Sequence, residues 1–154
     1  MKKFRFQLET LLKVTKMKKN DAEVKFAEAS RLLDEQRETL KRLMEEMQQG
    51  QRDYDNLTHA RHITVGTLMT YHSFFGWKRE QIALQQEAIL QSKANRQKRL
   101  QELMQLMNKL KSIEQLKEKR FRQYQENLLL EEQKLLDEIG LQLYMRSTGQ
   151  GEMS

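Results

Sequence analysis

From Asn56 to Trp77 the chain reads Asn-Leu-Thr-His-Ala-Arg-His-Ile-Thr-Val-Gly-Thr-Leu-Met-Thr-Tyr-His-Ser-Phe-Phe-Gly-Trp. On either side lie long tracts of Glu, Gln, Lys, Arg, Leu and Met, the strong helix formers. Within it Thr, His, β-branched Ile63 and Val65, and Gly66 take over, all poorer in a helix interior. The sequence contains no proline, so nothing else in it breaks a helix firmly. One long helix runs into this stretch and another runs out. The expected fold is all-α: a long antiparallel two-helix coiled-coil hairpin.

The composition agrees with that fold. Of 154 residues, 38% are hydrophobic and 32% charged, too few apolar side chains for a round core but enough for a narrow seam. No apolar run approaches the roughly 18 residues that span a bilayer. Met-Lys-Lys-Phe-Arg-Phe-Gln-Leu-Glu at the start imitates a signal peptide briefly, but Arg5, Gln7 and Glu9 interrupt any hydrophobic core. The absence of cysteine excludes disulfide and thiol chemistry and fits a reducing cytosol. A net charge of +6 invites acidic partners, although on a long helix such charge is first of all a solvated face.

Spacing by three and four predicts a first helix over about 4–58, a turn over about 59–64, a second helix over about 65–145 and a frayed tail over 146–154. Phe4, Leu8, Leu11, Thr15, Lys18, Ala22, Lys25, Ala29 and Leu32 form one register. Leu33, Gln36, Leu40, Leu43, Met47, Gly50, Tyr54 and Leu57 form a second, offset as if by a stutter that locally unwinds the supercoil. Lys18, Lys25, Gln36 and Gly50 are poor knobs in that seam. In the second helix Ile82, Gln85, Ile89, Ser92, Arg96, Arg99, Leu103, Leu106, Leu110 and Ile113 share a register, and Phe121, Tyr124, Leu128, Glu131, Leu135 and Glu138 share another. Thr64 or Thr67 is the expected N-cap of this helix. Gly66 belongs at the boundary, where the roughly 1 kcal/mol that glycine costs inside a helix is avoided. Gly76 marks a bend or a close approach.

Charge is segregated along the chain. Residues 1–25 carry eight Lys/Arg against three Asp/Glu, residues 93–122 ten against three, and residues 123–154 two against six. A basic helix start and an acidic helix end both oppose the macrodipole. An antiparallel hairpin is therefore expected to pair the basic N-terminal end with the acidic C-terminal end across the seam, which serves register more than stability.

Motifs for catalysis are missing. There is no glycine-rich phosphate loop, no Gly-x-Ser-x-Gly elbow and no His-Glu-x-x-His. His59, His62 and His72 lack cysteine or a positioned carboxylate and read as solvated turn residues rather than zinc ligands. The expectation is a non-enzymatic protein with no cofactor and no metal. Lys93-Ala-Asn-Arg-Gln-Lys-Arg lacks interleaved aromatics and any recognisable nucleic-acid module, so no nucleic-acid partner is expected. A basic nucleic-acid-binding coiled coil stays as an alternative that a salt-dependent gel shift would test. The nine methionines, Met44, Met47, Met104 and Met107 among them, read as seam filling, with an adaptable partner surface as the second possibility.

The opening Lys3-Phe4-Arg5-Phe6-Gln7-Leu8-Glu9-Thr10-Leu11-Leu12-Lys13-Val14 resembles the start of the flagellar FliJ family, and Tyr71-x-x-Phe74-Phe75 after the turn extends the resemblance. It implies a cytoplasmic antiparallel coiled coil of the bacterial flagellar type III protein export apparatus, peripheral at the inner face of the membrane. Such a protein resembles the central stalk of a rotary ATPase. The implied partners are the hexameric flagellar export ATPase, whose assembly and activity it promotes, the cytoplasmic domain of the export gate, and the export chaperones that it escorts. The stalk of an injectisome has the same shape and is the alternative within this class. Carried over, Phe4, Phe6, Leu8, Leu11 and Leu12 form the ATPase-facing tip, with Phe6, off the seam, as the foremost partner residue. Tyr54, Tyr71 and Phe74 resemble the aromatics used for the gate. Lys78, Gln81 and Gln85 depart from the apolar face expected there, and Gly50 replaces an aromatic.

Overall fold

In a computed structural model, residues 3–60 and 63–152 are described. Arg61 and His62, within the expected turn, lie outside the described residues. Two helices make up the fold, α1 (Glu9–Thr58) and α2 (Val65–Glu152). Their many mutual contacts make an all-α antiparallel helical hairpin, with no strand among the described residues.

The helix boundaries have local causes. α1 starts at Glu9 rather than near residue 4. The Glu9 amide donates to the Phe6 carbonyl at 3.1 Å and the Leu12 amide to the Leu8 carbonyl at 2.8 Å. Glu9 places a negative charge at the positive end of the macrodipole, where Lys3 and Arg5 would be unfavourable. At the other end, the Thr58 hydroxyl donates to the Asp55 carbonyl at 2.8 Å, and the His59 amide reaches the same carbonyl at 3.2 Å. These bonds satisfy acceptors that the end of a helix leaves open. Thr64 caps α2: its hydroxyl accepts the Thr67 amide at 3.2 Å, the geometry of an N-cap. α2 runs past the expected boundary at 145 to Glu152. Gly140 and Gly149 weaken it, by about 1 kcal/mol each, but keep the backbone hydrogen bonding that a proline would remove. No atom lies within 4 Å of the position of a Cβ on Gly76, so the close approach expected there is absent.

The chain divides into two compact units. The turn unit holds residues 17–107. Along its part of α1 the seam runs through Lys19, Ala22, Phe26, Ala29, Leu33, Gln36, Leu40, Leu43, Met47, Gly50 and Tyr54, with Ser30 and Thr39 half-buried beside it. Steps of three and four alternate without interruption, so this register contains no stutter. Lys18, Lys25 and Leu32 of the expected first register are exposed, and Lys19, Phe26 and Leu33 take their places. A lysine and a phenylalanine one position apart confuse a count made on hydrophobicity alone, because a lysine stem packs apolar surface while its head stays in water.

Polar layers interrupt this seam at defined heights. The Ser92 hydroxyl donates to the Gln36 side-chain carbonyl, and Gln85 Nε2 donates to the Gln36 main-chain carbonyl at 3.0 Å. Arg96 Nε donates to the Ser30 hydroxyl at 2.9 Å, its guanidinium 5.0 Å from the Phe26 ring centre. Slipping the helices by one heptad would leave these groups without partners, so they specify register at a cost in stability.

The terminal unit holds residues up to Lys16 together with those from Asn108 onward. Its core is Phe6, Leu12, Leu110 and Ile113, with Phe4, Leu8 and Leu116 packed against it. Thr15 is its most buried side chain, 1% exposed. Lys117 Nζ bonds Glu9 at 2.9 Å. Beyond Leu128 every residue through Gln150 is exposed.

Candidate partner-binding surfaces

The residues expected at the ATPase-facing tip all fall in the terminal unit, but they divide in a way the heptad count does not foresee. Phe6, expected off the seam and free for a partner, is 7% exposed and part of the core. The reason is local: Phe6 precedes the helix, and the turn closed by the Glu9 amide swings its ring inward. Leu12 is buried with it. Leu11, placed on the seam by the sequence, is 38% exposed and faces out. Phe4 lies edge-on to Phe121 with ring centres 5.2 Å apart and tilted against Tyr124 at 5.6 Å. Each such pair adds about 0.5–1.5 kcal/mol beyond area burial. Phe4 thereby ties the non-helical start to α2, a role found only through the aromatic partners at 121 and 124.

Among the described residues no ion pair joins the basic start to the acidic end, contrary to expectation. Lys117–Glu9 is the ion pair that joins the two segments of this unit among the described residues. Its Glu9 carboxyl is held below its ordinary pKa, first by the hydrogen bond from Lys117, then by the charges of Lys117, Lys13 and Lys16. Residues 3–16 and 108–122 together carry ten Lys/Arg against three Glu, while residues 123–152 carry two against six. The antiparallel pairing sets basic beside basic because residue 9 meets residue 117, not residue 131.

In the turn unit the three aromatics expected at the gate surface come together. Tyr54 meets Tyr71 edge-on at 5.7 Å and Phe75 at 5.9 Å, and Phe74 meets Phe75 at 5.6 Å. A groove of about 470 Å³ runs beside them, with Gly50, Tyr71, Phe74 and Trp77 in its wall and Glu46, Asp53 and Lys78 at its margin. Gly50 is a recess for the Phe74 ring: a Cβ there would lie 2.5 Å from Phe74 Cε1. Of the three polar residues that break the expected apolar face, Lys78 and Gln85 have partners, while Gln81 Oε1 is buried without a hydrogen bond. Lys78 is buried, 6% exposed, paired with Glu46 and 5.2 Å from the Trp77 ring centre. Gln85 belongs to the polar layer on Gln36. Trp77 and Phe75, outside the family-derived set, contribute to this surface, and their aromatic clustering just after the turn is the signal for them.

His59 Nδ1 donates to the Asp55 carbonyl at 2.6 Å, a helix-end contact, and His72 is exposed. His62 lies outside the described residues. No group of three His, Cys, Asp or Glu could hold a metal among the described residues, and none of their helices is long and apolar enough to cross a membrane.

Fold and side chains together define an α-helical hairpin with an aromatic cluster in one unit and segregated charge in the other. The model of the flagellar FliJ protein family matches residues 4–149. The chain belongs to that family, which points to a component of the flagellar protein export apparatus. Comparison with curated proteins returned no match, and comparison with solved structures returned none.

Proposed function

We propose that this protein is the central stalk of the flagellar export ATPase, promoting assembly and turnover of the hexameric ring through its terminal unit. Family membership over residues 4–149 carries the proposal. Leu11 supports it as the tip residue that stays exposed, and so does the uneven charge of this unit, which meets successive ring subunits differently. Such differential contacts bias the ring toward its assembled state. Phe4, Phe6, Leu8 and Leu12 act beneath Leu11 by holding the tip's shape. The aromatic cluster of Tyr54, Tyr71 and Phe74, with the groove beside it, is the surface for the cytoplasmic domain of the export gate, which brings the protein to the inner face of the membrane. Escort of export chaperones completes the role.

The test is ATP turnover by the cognate export ATPase, titrated with this protein while ring assembly is followed by light scattering. Stimulation that saturates near one chain per six subunits, and that weakens in Leu11→Asp with helicity unchanged, is the expected result. No stimulation under conditions that permit ring assembly overturns the stalk.

A further inference from the structure

Beyond Leu128 every residue of α2 through Gln150 is exposed, yet the sequence there is amphipathic. Leu129, Leu136, Ile139 and Leu143 are all exposed, and their spacing of seven, three and four puts them on one stripe. Glu132 sits within the stripe. Followed backward in steps of four, the same stripe passes through Gln125 and reaches Phe121, which is also exposed. Phe121 forms one wall of a groove between the two segments of the terminal unit. Phe4, Leu12, Lys16, Glu114, Lys117 and Glu118 share that groove, whose volume is about 410 Å³.

We infer that the free protein pairs with a second copy of itself through this stripe, the two α2 helices antiparallel about Gln125. Each copy's residues 129–142 then lie along residues 108–121 of the other, and each groove is filled by the other chain's overhang. Charge favours this occupant over others. The overhang, residues 129–152, carries five acidic residues against two basic, and the segments beside which it would lie, 3–16 and 108–122, carry ten basic against three acidic. The twofold register sets Leu129 against Phe121 and Ile139 against the stem of Lys111, with Glu132 against Glu118 as the one like-charge position within the stripe. On one flank Glu131 and Glu138 come beside Lys16 and Lys117. On the other, Glu126 and Asp137 come beside Arg122 and Lys111. A parallel pairing of two overhangs would instead set acidic against acidic, which is destabilising at these spacings. The twofold uses each stripe twice, once as overhang and once as wall, the self-complementarity of an isologous contact. The inference does not rest on the stalk reading, since it concerns the protein without its partners.

The test is mass by light scattering on the full chain across a concentration series, at low and at high salt. A mass approaching twice 18.5 kDa at low salt, falling toward the monomer as salt is raised, is expected. Asp137→Lys should shift the transition to at least tenfold higher concentration, and adding Lys111→Asp to the same chain should restore it. Because the chain lacks cysteine, single substitutions report geometry. Ile139→Cys mixed with Lys111→Cys should give a disulfide-linked heterodimer, and Gln125→Cys a homodimer. A monomer at all concentrations overturns the inference. So does a dimer in which Ile139→Cys links to itself, the signature of parallel overhangs. Ring stimulation unaffected by these variants leaves the two proposals separately judged.

Discussion

A Cβ on Gly50 would stand 2.5 Å from Cε1 of Phe74, closer than packed carbons approach. The glycine is there because α1 must yield space to a ring from α2 at that height. An unobstructed Gly→Ala change in a helix gains about 1 kcal/mol, whereas overpacking costs about 1–3 kcal/mol. Gly50→Ala is therefore expected to be net destabilising by about 1 kcal/mol in urea denaturation. Gly140→Ala, with nothing within 4 Å of its Cβ, should stabilise α2 by up to about 1 kcal/mol. If Gly50→Ala also stabilises, the ring is not seated as described.

Lys78 and Glu46 form an ion pair in which the lysine is buried and the carboxylate half in water. Removing only the carboxylate leaves a buried charge to its two neighbouring rings. Glu46→Ala should cost about 1–2 kcal/mol, below the range for fully buried pairs because Glu46 is solvent-screened. Lys78→Met keeps the stem and removes the charge, and is expected to be neutral or stabilising. Thermal melts of both variants check the order; a Lys78→Met protein less stable than Glu46→Ala would contradict it.

Phe6 and Leu11 should separate folding from binding. Phe6→Ala removes a core ring and is expected to cost about 3–5 kcal/mol, with loss of protection in the first turns of α1 by hydrogen exchange. Leu11→Ala should cost under about 1 kcal/mol and show its effect in ATPase stimulation. Equal losses of stability in the two variants would argue against the inward placement of Phe6.

The Glu9 carboxyl has a lowered pKa in the folded protein. A depressed acid contributes stability that is present above its unfolded pKa and is lost as pH falls through its folded pKa. Acidification through the carboxylate range should therefore loosen the start of α1. An NMR titration of Glu9 is expected to move toward the ordinary value in Lys117→Met, with Lys13 and Lys16 still holding it somewhat low. No change in that variant would show that the lysine is not the cause.

Thr64 holds the first turn of α2 by accepting the Thr67 amide. Thr64→Ala should cost about 1 kcal/mol and speed amide exchange at Thr67 and Leu68. Thr64→Ser should retain most of the protection.

Much of this architecture could be read from residue types. Proline-free tracts of helix formers on both sides of a Thr- and His-rich stretch dictate two helices and a fold-back, and Thr64 caps the second helix as its hydroxyl allows. The seam was harder to read. Lys19 and Phe26 line it while Lys18, Lys25 and Leu32 do not, because burial follows the partner helix's shape rather than side-chain polarity. Gly50, read as a weak position, is a fitted one for a reason that lies in Phe74. Phe6 went inward because its backbone is not helical, and periodicity has nothing to say about residues outside a helix. The charge pairing failed for a geometric reason: segregated charges say which ends could attract, but not which residues the fold-back sets side by side.

The aromatic contacts also differ greatly in how much chain each must close. Tyr54 and Tyr71 are separated by a short loop, Phe4 and Phe121 by most of the protein. Loop-closure entropy grows with the logarithm of length, so forming the second pair from an open chain costs about 1.7 kcal/mol more than the first. Once the turn-side pairs are in place that difference disappears, since each further pair closes only a few residues. Folding thus zips from the turn toward the termini. On the ribosome, Phe4 and Phe6 must wait for most of the chain to be made before Tyr124 and Leu110 reach them. The segment proposed to engage the ring is the last to take its shape.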